Sequence, residues 1–331
     1  MDLSTTYMKF ELPNPFIVGA GPLADNVASV RRCEDAGAAA IVMRSLFEEQ
    51  ITAEQVATNR SMEEPAESFA EALSYFPNPE EFVLGPDEYL EQLRKTKEAV
   101  NVPVIASLNG CTRGGWLDYA KLMQQAGADA LELNVYYVGT DPDESGQALE
   151  DRTIEMVKAV KDSVTIPVAV KLSPFYASFA NMAKRVDETG VDGMVLFNRF
   201  YQPDIDVEEL EVNSALTLSS PGAIRLRLRW LAILSGRVNA SLAMTGGVHD
   251  AIGALKGVMC GAHAVQLVSM LLKDGVHKLA FLREGLANWL EEHEYESLRQ
   301  AQGSMNLLKC PDPKAFERAN YMHILQSWQP S

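Results

Sequence analysis

The chain has 331 residues, 47% of them apolar, with a formal net charge of −16 and a pI of about 4.8. That length suits one large barrel or two smaller domains, and a surface this acidic argues against nucleic acid or an anionic membrane as partner. No apolar run approaches the roughly 20 residues of a bilayer-spanning helix, Met1–Pro15 reads as neither signal nor transit peptide, and Cys33, Cys111, Cys260 and Cys310 lie far apart, as reduced thiols of a cytoplasmic protein would.

The first strand is predicted at Phe16–Val18, in "NPFIVGAG", and the second at Ala39–Met43, directly after a helix that ends in "EDAG". The third, Val104–Ser107, and the fifth, Val168–Lys171, each begin just after a proline, where no ladder donor is needed. The fourth, Ala130–Leu133, the sixth, Gly193–Leu196, and the eighth, Ala264–Gln266, follow helix ends in "QQAG", "DETG" and "MCGA"; Leu242–Met244 is the seventh. A glycine at a helix end fits the left-handed residue that stops helices. The short apolar strands that come next are those of a buried parallel sheet. Eight of them, separated by amphipathic helical stretches, predict an α/β fold of the (β/α)8 TIM-barrel type, with an open doubly wound sheet as the alternative. The longest connections, Phe47–Pro86, Tyr136–Gln147 and Arg199–Ser220, come after strands 2, 4 and 6 and so belong to the C-terminal face. No domain boundary is evident: the expectation is a single domain over 1–331, with a barrel core over about 14–290 and a C-terminal extension over about 301–331 packing on it.

Small residues, amides and cations converge on the strand ends, where barrels build active sites. They are Gly19, Ala20 and Gly21 after strand 1, Arg44 and Ser45 after strand 2, Ser107 and Asn109 after strand 3, and Asn134 after strand 4. Lys171 ends strand 5, Asn198 and Arg199 end strand 6, Thr245, Gly246 and Gly247 end strand 7, and Val268 and Ser269 end strand 8. Glycine lets a backbone approach a phosphate closely, and barrels bind phosphate after strands 7 and 8, so Gly246, Gly247 and Ser269 suit one. Lys171, at a buried strand end, needs an anionic partner; a phosphate or a reduced flavin ring would serve, and so would Glu132. No spacing suggests a metal site.

The blocks "NPFIVGAGP", "VMRS", "LELN", "VAVKLSP", "MTGGV" and "CGAHAVQLVS" together resemble the dihydroorotate dehydrogenase family, over residues 3 to about 290. With no hydrophobic extension before the barrel, the chain looks like the soluble branch. The resemblance implies an FMN-dependent oxidoreductase of pyrimidine biosynthesis that acts on a CH–CH group, passing hydride between a small polar substrate and flavin N5. It implies that Ala20 and Gly21 lie against the flavin ring, that Ser45, Asn109 and Asn134 contact it, and that Lys171 stabilises negative charge at its N1–C2 edge. Gly222, Thr245, Gly246, Gly247 and Ser269 would surround the phosphate, and Asn134, Asn198 and Arg44 would contact the substrate.

The chain departs from the family pattern where the substrate is handled. The loop after strand 4 reads "NVYYVGT", so Tyr137 stands at the position of the catalytic base and Gly139 at that of a substrate asparagine. Arg44 replaces a lysine, and Ser219 and Ser220 replace glycines. The catalytic candidates are thus Tyr137, Lys171 and Arg44. Tyrosine ionises near pH 10, making it a poor base unless a cation such as Arg44 lowers it; it could instead donate a proton, or serve as an aromatic wall. Cys111 is a conceivable substitute thiol or an ordinary one. The expected partners are a small-molecule substrate, a separate electron-acceptor protein and a second copy of the chain. Fumarate, NAD through a partner subunit and a ferredoxin-like protein remain open as acceptors. The rival readings are a flavin barrel acting on another CH–CH or C–N bond, a non-catalytic electron-transfer subunit, and a phosphate-handling barrel without flavin.

Overall fold

The computed structural model describes residues 1–47, 50, 85–110, 113–199, 202–213, 217–316 and 319–327; Cys111 and most of the connection after the second predicted strand lie outside them. A hairpin of β1 (Thr5–Tyr7) and β2 (Phe10–Leu12) opens the chain. The barrel comes next: β3 (Phe16–Val18), β4 (Ala40–Phe47), β5 (Val104–Asn109), β6 (Ala130–Asn134), β7 (Val168–Leu172) and β8 (Gly193–Leu196). After a small exposed hairpin, β9 (Asp204–Asp206) and β10 (Glu211–Asn213), it is completed by β11 (Ser241–Thr245) and β12 (Ala264–Leu267). The eight barrel strands are all parallel and close on themselves, β12 pairing with β3, which is the expected (β/α)8 architecture rather than an open sheet.

The outer layer holds α1 (Val27–Asp35), α2 (Pro86–Ala99), α3 (Arg113–Gln125), α4 (Gly146–Ser163), α5 (Phe179–Asp187), α6 (Ile224–Leu234), α7 (Ala251–Cys260), α8 (Ser269–Asp274) and α9 (Lys278–Glu292). The short α10 (Leu298–Ala301) and then α11 (Ala319–Ser327) complete the described helices. Beyond α10 the chain lies across α6 and α7, with Gly303 N donating to Val258 O (3.0 Å), Met305 N to Met259 O (2.8 Å) and Leu307 N to Ala232 O (2.8 Å). No described helix is long and apolar enough to cross a membrane.

Because side chains alternate along a strand, each barrel strand has an outer face toward the helices and an inner face toward the barrel axis. The lower interior carries five alanines, Ala40, Ala130, Ala169, Ala243 and Ala264, beside Ile17, Val42, Ile105 and Val195, and so leaves a space. The N-terminal hairpin fills it. Tyr7 and Met8 are buried there, and a Cβ added to Gly193 would lie 3.0 Å from Met8 Cγ and 3.3 Å from the Tyr7 hydroxyl. The hairpin's two-residue turn, Met8 and Lys9, takes the positive φ such turns require (49° and 68°) without glycine or asparagine. Tertiary contacts hold it: Ser241 Oγ accepts from Met8 N (2.9 Å), and Lys9 pairs with Asp192 (2.6 Å).

Candidate functional site

Above the alanine layer the barrel interior becomes polar. Ser107, Glu132, Asn134, Lys171, Thr245 and Gln266 are all buried. Glu132 and Asn134 stand two apart on β6 and share its inner face; Lys171 on β7 is in register with Asn134. The register between β4 and β5 shifts between Val42 and Ser45, an irregularity on β4 that re-aims the side chains beyond it. Ser45 is thereby turned to the Asn134 amide. Asn134 Nδ2 donates to Ser45 Oγ (2.6 Å) and Ser107 Oγ (2.9 Å), and the two hydroxyls lie 2.8 Å apart. Tyr89, from α2, clamps the Ser107 backbone through its hydroxyl, which accepts from Ser107 N (2.9 Å) and donates to Ser107 O (3.2 Å); burial pushes this phenol above its ordinary range.

Lys171 finds its anionic partner in Glu132, at 3.2 Å, and Gln266 Nε2 donates to the second carboxylate oxygen at 2.5 Å. Glu132 is one of the anionic partners that suit a lysine at this strand end. Two buried acceptors in this layer, Asn134 Oδ1 and Gln266 Oε1, have no hydrogen-bond partner among the described residues. Buried polar atoms are rarely left so, and each such case asks for an explanation.

On the β11–β12 side the backbone forms a cradle. Gly246 and Gly247 both take positive φ (87° and 85°), and a Cβ on Gly247 would stand 2.5 Å from Ile224 N, the first residue of α6. Gly222, in the turn before that helix, is exposed, and a Cβ there would stand 3.8 Å from Ser220 Oγ. Ser219 stands at the centre: its hydroxyl accepts from Gly247 N (3.2 Å) and pairs with Ser269 Oγ (3.0 Å), while its carbonyl accepts from His249 Nε2 (2.7 Å). The ends of β3 and β12 meet closely. A Cβ on Gly19 would lie 2.8 Å from Val268 Cγ2, and one on Gly21 would lie 3.1 Å from Val268 Cγ1; Ala20 between them is half-buried.

Arg44, half-buried on β4, is bidentate on Asp25 (2.7 and 2.5 Å). Tyr137 is exposed; its hydroxyl donates to Glu144 (3.0 Å), and Arg152, which also pairs with Glu144, lies 5.4 Å from the ring centroid. Arg44 and Tyr137 therefore take separate carboxylates. Tyr137 walls a cavity of about 560 Å³ with Val138, Leu149, Phe175 and Tyr176, beside the ends of β6 and β7. Asn109 and Asn198 are half-buried at the ends of β5 and β8.

The sequence reading missed Gln266, His249 and Arg227. Gln266 had a signal, a lone amide in the apolar run "AVQLV"; Arg227, inside "IRLRLRW", reads as one of several surface cations until α6 is docked on β11.

A closed parallel barrel with buried polar groups and a glycine cradle at the C-terminal ends of its strands is a (β/α)8 barrel enzyme built to hold a small ligand at that face. The chain matches the dihydroorotate dehydrogenase family over residues 2–290, and it belongs to that family. It is similar to the dihydroorotate dehydrogenase B (NAD(+)) catalytic subunits of Thermoplasma volcanium (27% identical, covering 91% of this chain and 98% of the relative) and Methanocella arvoryzae (30%, covering 85% and 90%). The corresponding subunit of Methanosarcina mazei is 29% identical, with 91% and 94% covered. The chain is thus an oxidoreductase of the dihydroorotate dehydrogenase type, a flavin-dependent family acting on CH–CH groups.

Proposed function

We propose that this chain binds FMN at the mouth of the barrel and transfers hydride between flavin N5 and a carbon of a small polar substrate. The observation that carries the reading is the pairing of two buried acceptors that have no partner among the described residues, Asn134 Oδ1 and Gln266 Oε1, with the Gly246–Gly247 cradle on the same face. The acceptors suit the donor of a flavin's imide edge, and the cradle admits only backbone without Cβ, as close approach to a phosphate requires. Ala20, Gly21, Ser45, Asn109, Asn134 and Lys171 would hold the ring, and Gly222, Thr245, Gly246, Gly247 and Ser269 the phosphate.

Bound FMN supplies the hydride acceptor. Lys171 supplies a fixed positive charge: its ammonium has three donors, and Glu132 takes one. Asn134, oriented by Ser45 and Ser107, presents its carbonyl to the ring or the substrate, and Asn198 and Arg44 bound the substrate side. Tyr137 is the residue for proton transfer at the substrate carbon, its hydroxyl turned to the Glu144 carboxylate. Dihydroorotate, named in the relatives, is the first substrate to try, and because Tyr137 and Gly139 alter the loop that would handle it, slow turnover is expected. A separate electron-accepting subunit is the partner suggested by relatives that are catalytic subunits. We also propose that the chain is cytoplasmic, self-associates and forms one domain, its tail hydrogen-bonded to α6 and α7.

Chromatography of flavin released from the purified protein tests the cofactor: FMN is expected, while FAD or no flavin would overturn the reading. Anaerobic stopped-flow with dihydroorotate tests the substrate side. Reduction should be slow and slower still in Tyr137→Phe; fast reduction indifferent to that change would remove Tyr137 from the mechanism.

A further inference from the structure

Arg227 is held in a place that is electrostatically unfavourable without an anion. It lies in the first turns of α6, where the helix dipole is positive and cations are disfavoured. That helix start has no acidic residue in its first turn and no side-chain cap on its N–H groups. The Arg227 guanidinium donates to Thr245 O (2.9 Å) and Ala223 O (2.9 Å). Among the described residues it pairs with no carboxylate, in a chain whose net charge is −16. Phe197 offers it a ring face at 6.0 Å. Burial, and then the like charge of Arg199, hold its pKa below the usual arginine range. The helix end, the loss of water and the second arginine all oppose this cation, and a nearby dianion would relieve all three. Its position says where such a charge would be: Arg227 Nη2 is 3.2 Å from the point where a Cβ on Gly246 would stand, against the Gly246–Gly247 turn.

We infer that Arg227 is a built-in counter-charge for a phosphate ester at the Gly246–Gly247 turn, making the site select a phosphorylated flavin over the unphosphorylated one. This rests on the flavin reading above. Neutral backbone N–H groups can hold a phosphate; the guanidinium adds a preference for the dianion that backbone alone does not impose. Arg227 acts through the turn, as a positioning and specificity residue.

The test is the ratio of affinities for FMN and riboflavin, measured by flavin fluorescence on full-length protein stripped of flavin, at several salt concentrations. Arg227→Gln should weaken FMN about tenfold or more, leave riboflavin within about twofold, and flatten the salt dependence of FMN binding; Arg227→Lys should keep most of the preference. Equal weakening of both flavins would make Arg227 a brace for the turn and overturn the proposal, as would an unchanged FMN affinity. Failure of the wild type to bind FMN would overturn the flavin reading and this proposal together, which separates that outcome from a failure confined to Arg227.

Discussion

Among the described residues, Lys171 and Glu132 are each other's only ion-pair partners, in a layer from which water is largely excluded, at 8% and 1% side-chain exposure. Removing one partner of such a pair strands the other charge, at a cost of about 3–5 kcal/mol, whereas removing both can be nearly neutral. Lys171→Met should therefore lower the thermal midpoint sharply, and Lys171→Met with Glu132→Gln should restore much of it. The flavin midpoint potential separates structure from function. If Lys171 supplies charge to the cofactor, the potential stays lowered in the stable double variant relative to Glu132→Gln alone. Equal potentials in those two proteins would reduce Lys171 to a structural role. The lysine was legible from sequence as a charge needing a partner. That Glu132 comes within reach of it was not, because that depends on a register: Asn134 opposite Lys171 puts Glu132 one inward-facing residue below it.

The eight strand cores were legible because parallel barrel strands are short, apolar and preceded by helix-ending glycines or prolines, a local signal that tertiary packing does not contradict. The N-terminal hairpin left no such signal. Its turn is Met8–Lys9, which no turn preference favours, and it is held by Ser241 and Asp192 from distant parts of the chain. The register shift that turns Ser45 inward was equally hidden, since strand periodicity does not reveal a bulge. At the cradle, Gly246 and Gly247 were legible as glycines, but what they approach was not: the α6 terminus comes from the far side of a connection whose path sequence does not specify. That contact makes a prediction for the β11–α6 junction. Gly247→Ala places a methyl 2.5 Å from Ile224 N on a residue with φ of 85°, so either the turn or the helix must move. The variant should fold, with the barrel intact by far-ultraviolet circular dichroism, yet lose FMN affinity by more than about tenfold. An alanine variant that binds FMN as the wild type does would show that the cradle is not where the phosphate sits.

At the scale of the molecule, one carboxylate joins parts that are distant in sequence. Asp192, at the start of β8 and with a buried side chain, takes Lys9 from the hairpin plug at 2.6 Å, Lys161 from the last turn of α4, and Val168 N from β7 at 2.9 Å. Burial pushes its carboxyl up, but the hydrogen bonds from Lys161, Lys9 and Val168 outweigh that and leave it net below the usual aspartate range. A carboxylate with a depressed folded pKa stabilises the protein fully above its unfolded pKa of about 3.9. The stabilisation is lost as pH falls through the lower folded value. The plug and the barrel floor should therefore loosen together in acid. Asp192→Asn keeps the shape but not the charge, so it should cost about 1–3 kcal/mol at neutral pH and make stability less dependent on pH below about 4. Urea denaturation of the two proteins, from neutral pH down through the aspartate range, is the measurement. The partners of Asp192 belong to the plug and the floor, and none of them is Asn134, Lys171 or Gln266. Flavin content at neutral pH should therefore be unchanged in the variant. Parallel pH profiles for wild type and variant would mean that acid unfolding starts elsewhere and that the plug is held by the packing of Tyr7 and Met8 and by the Met8–Ser241 hydrogen bond, without Asp192.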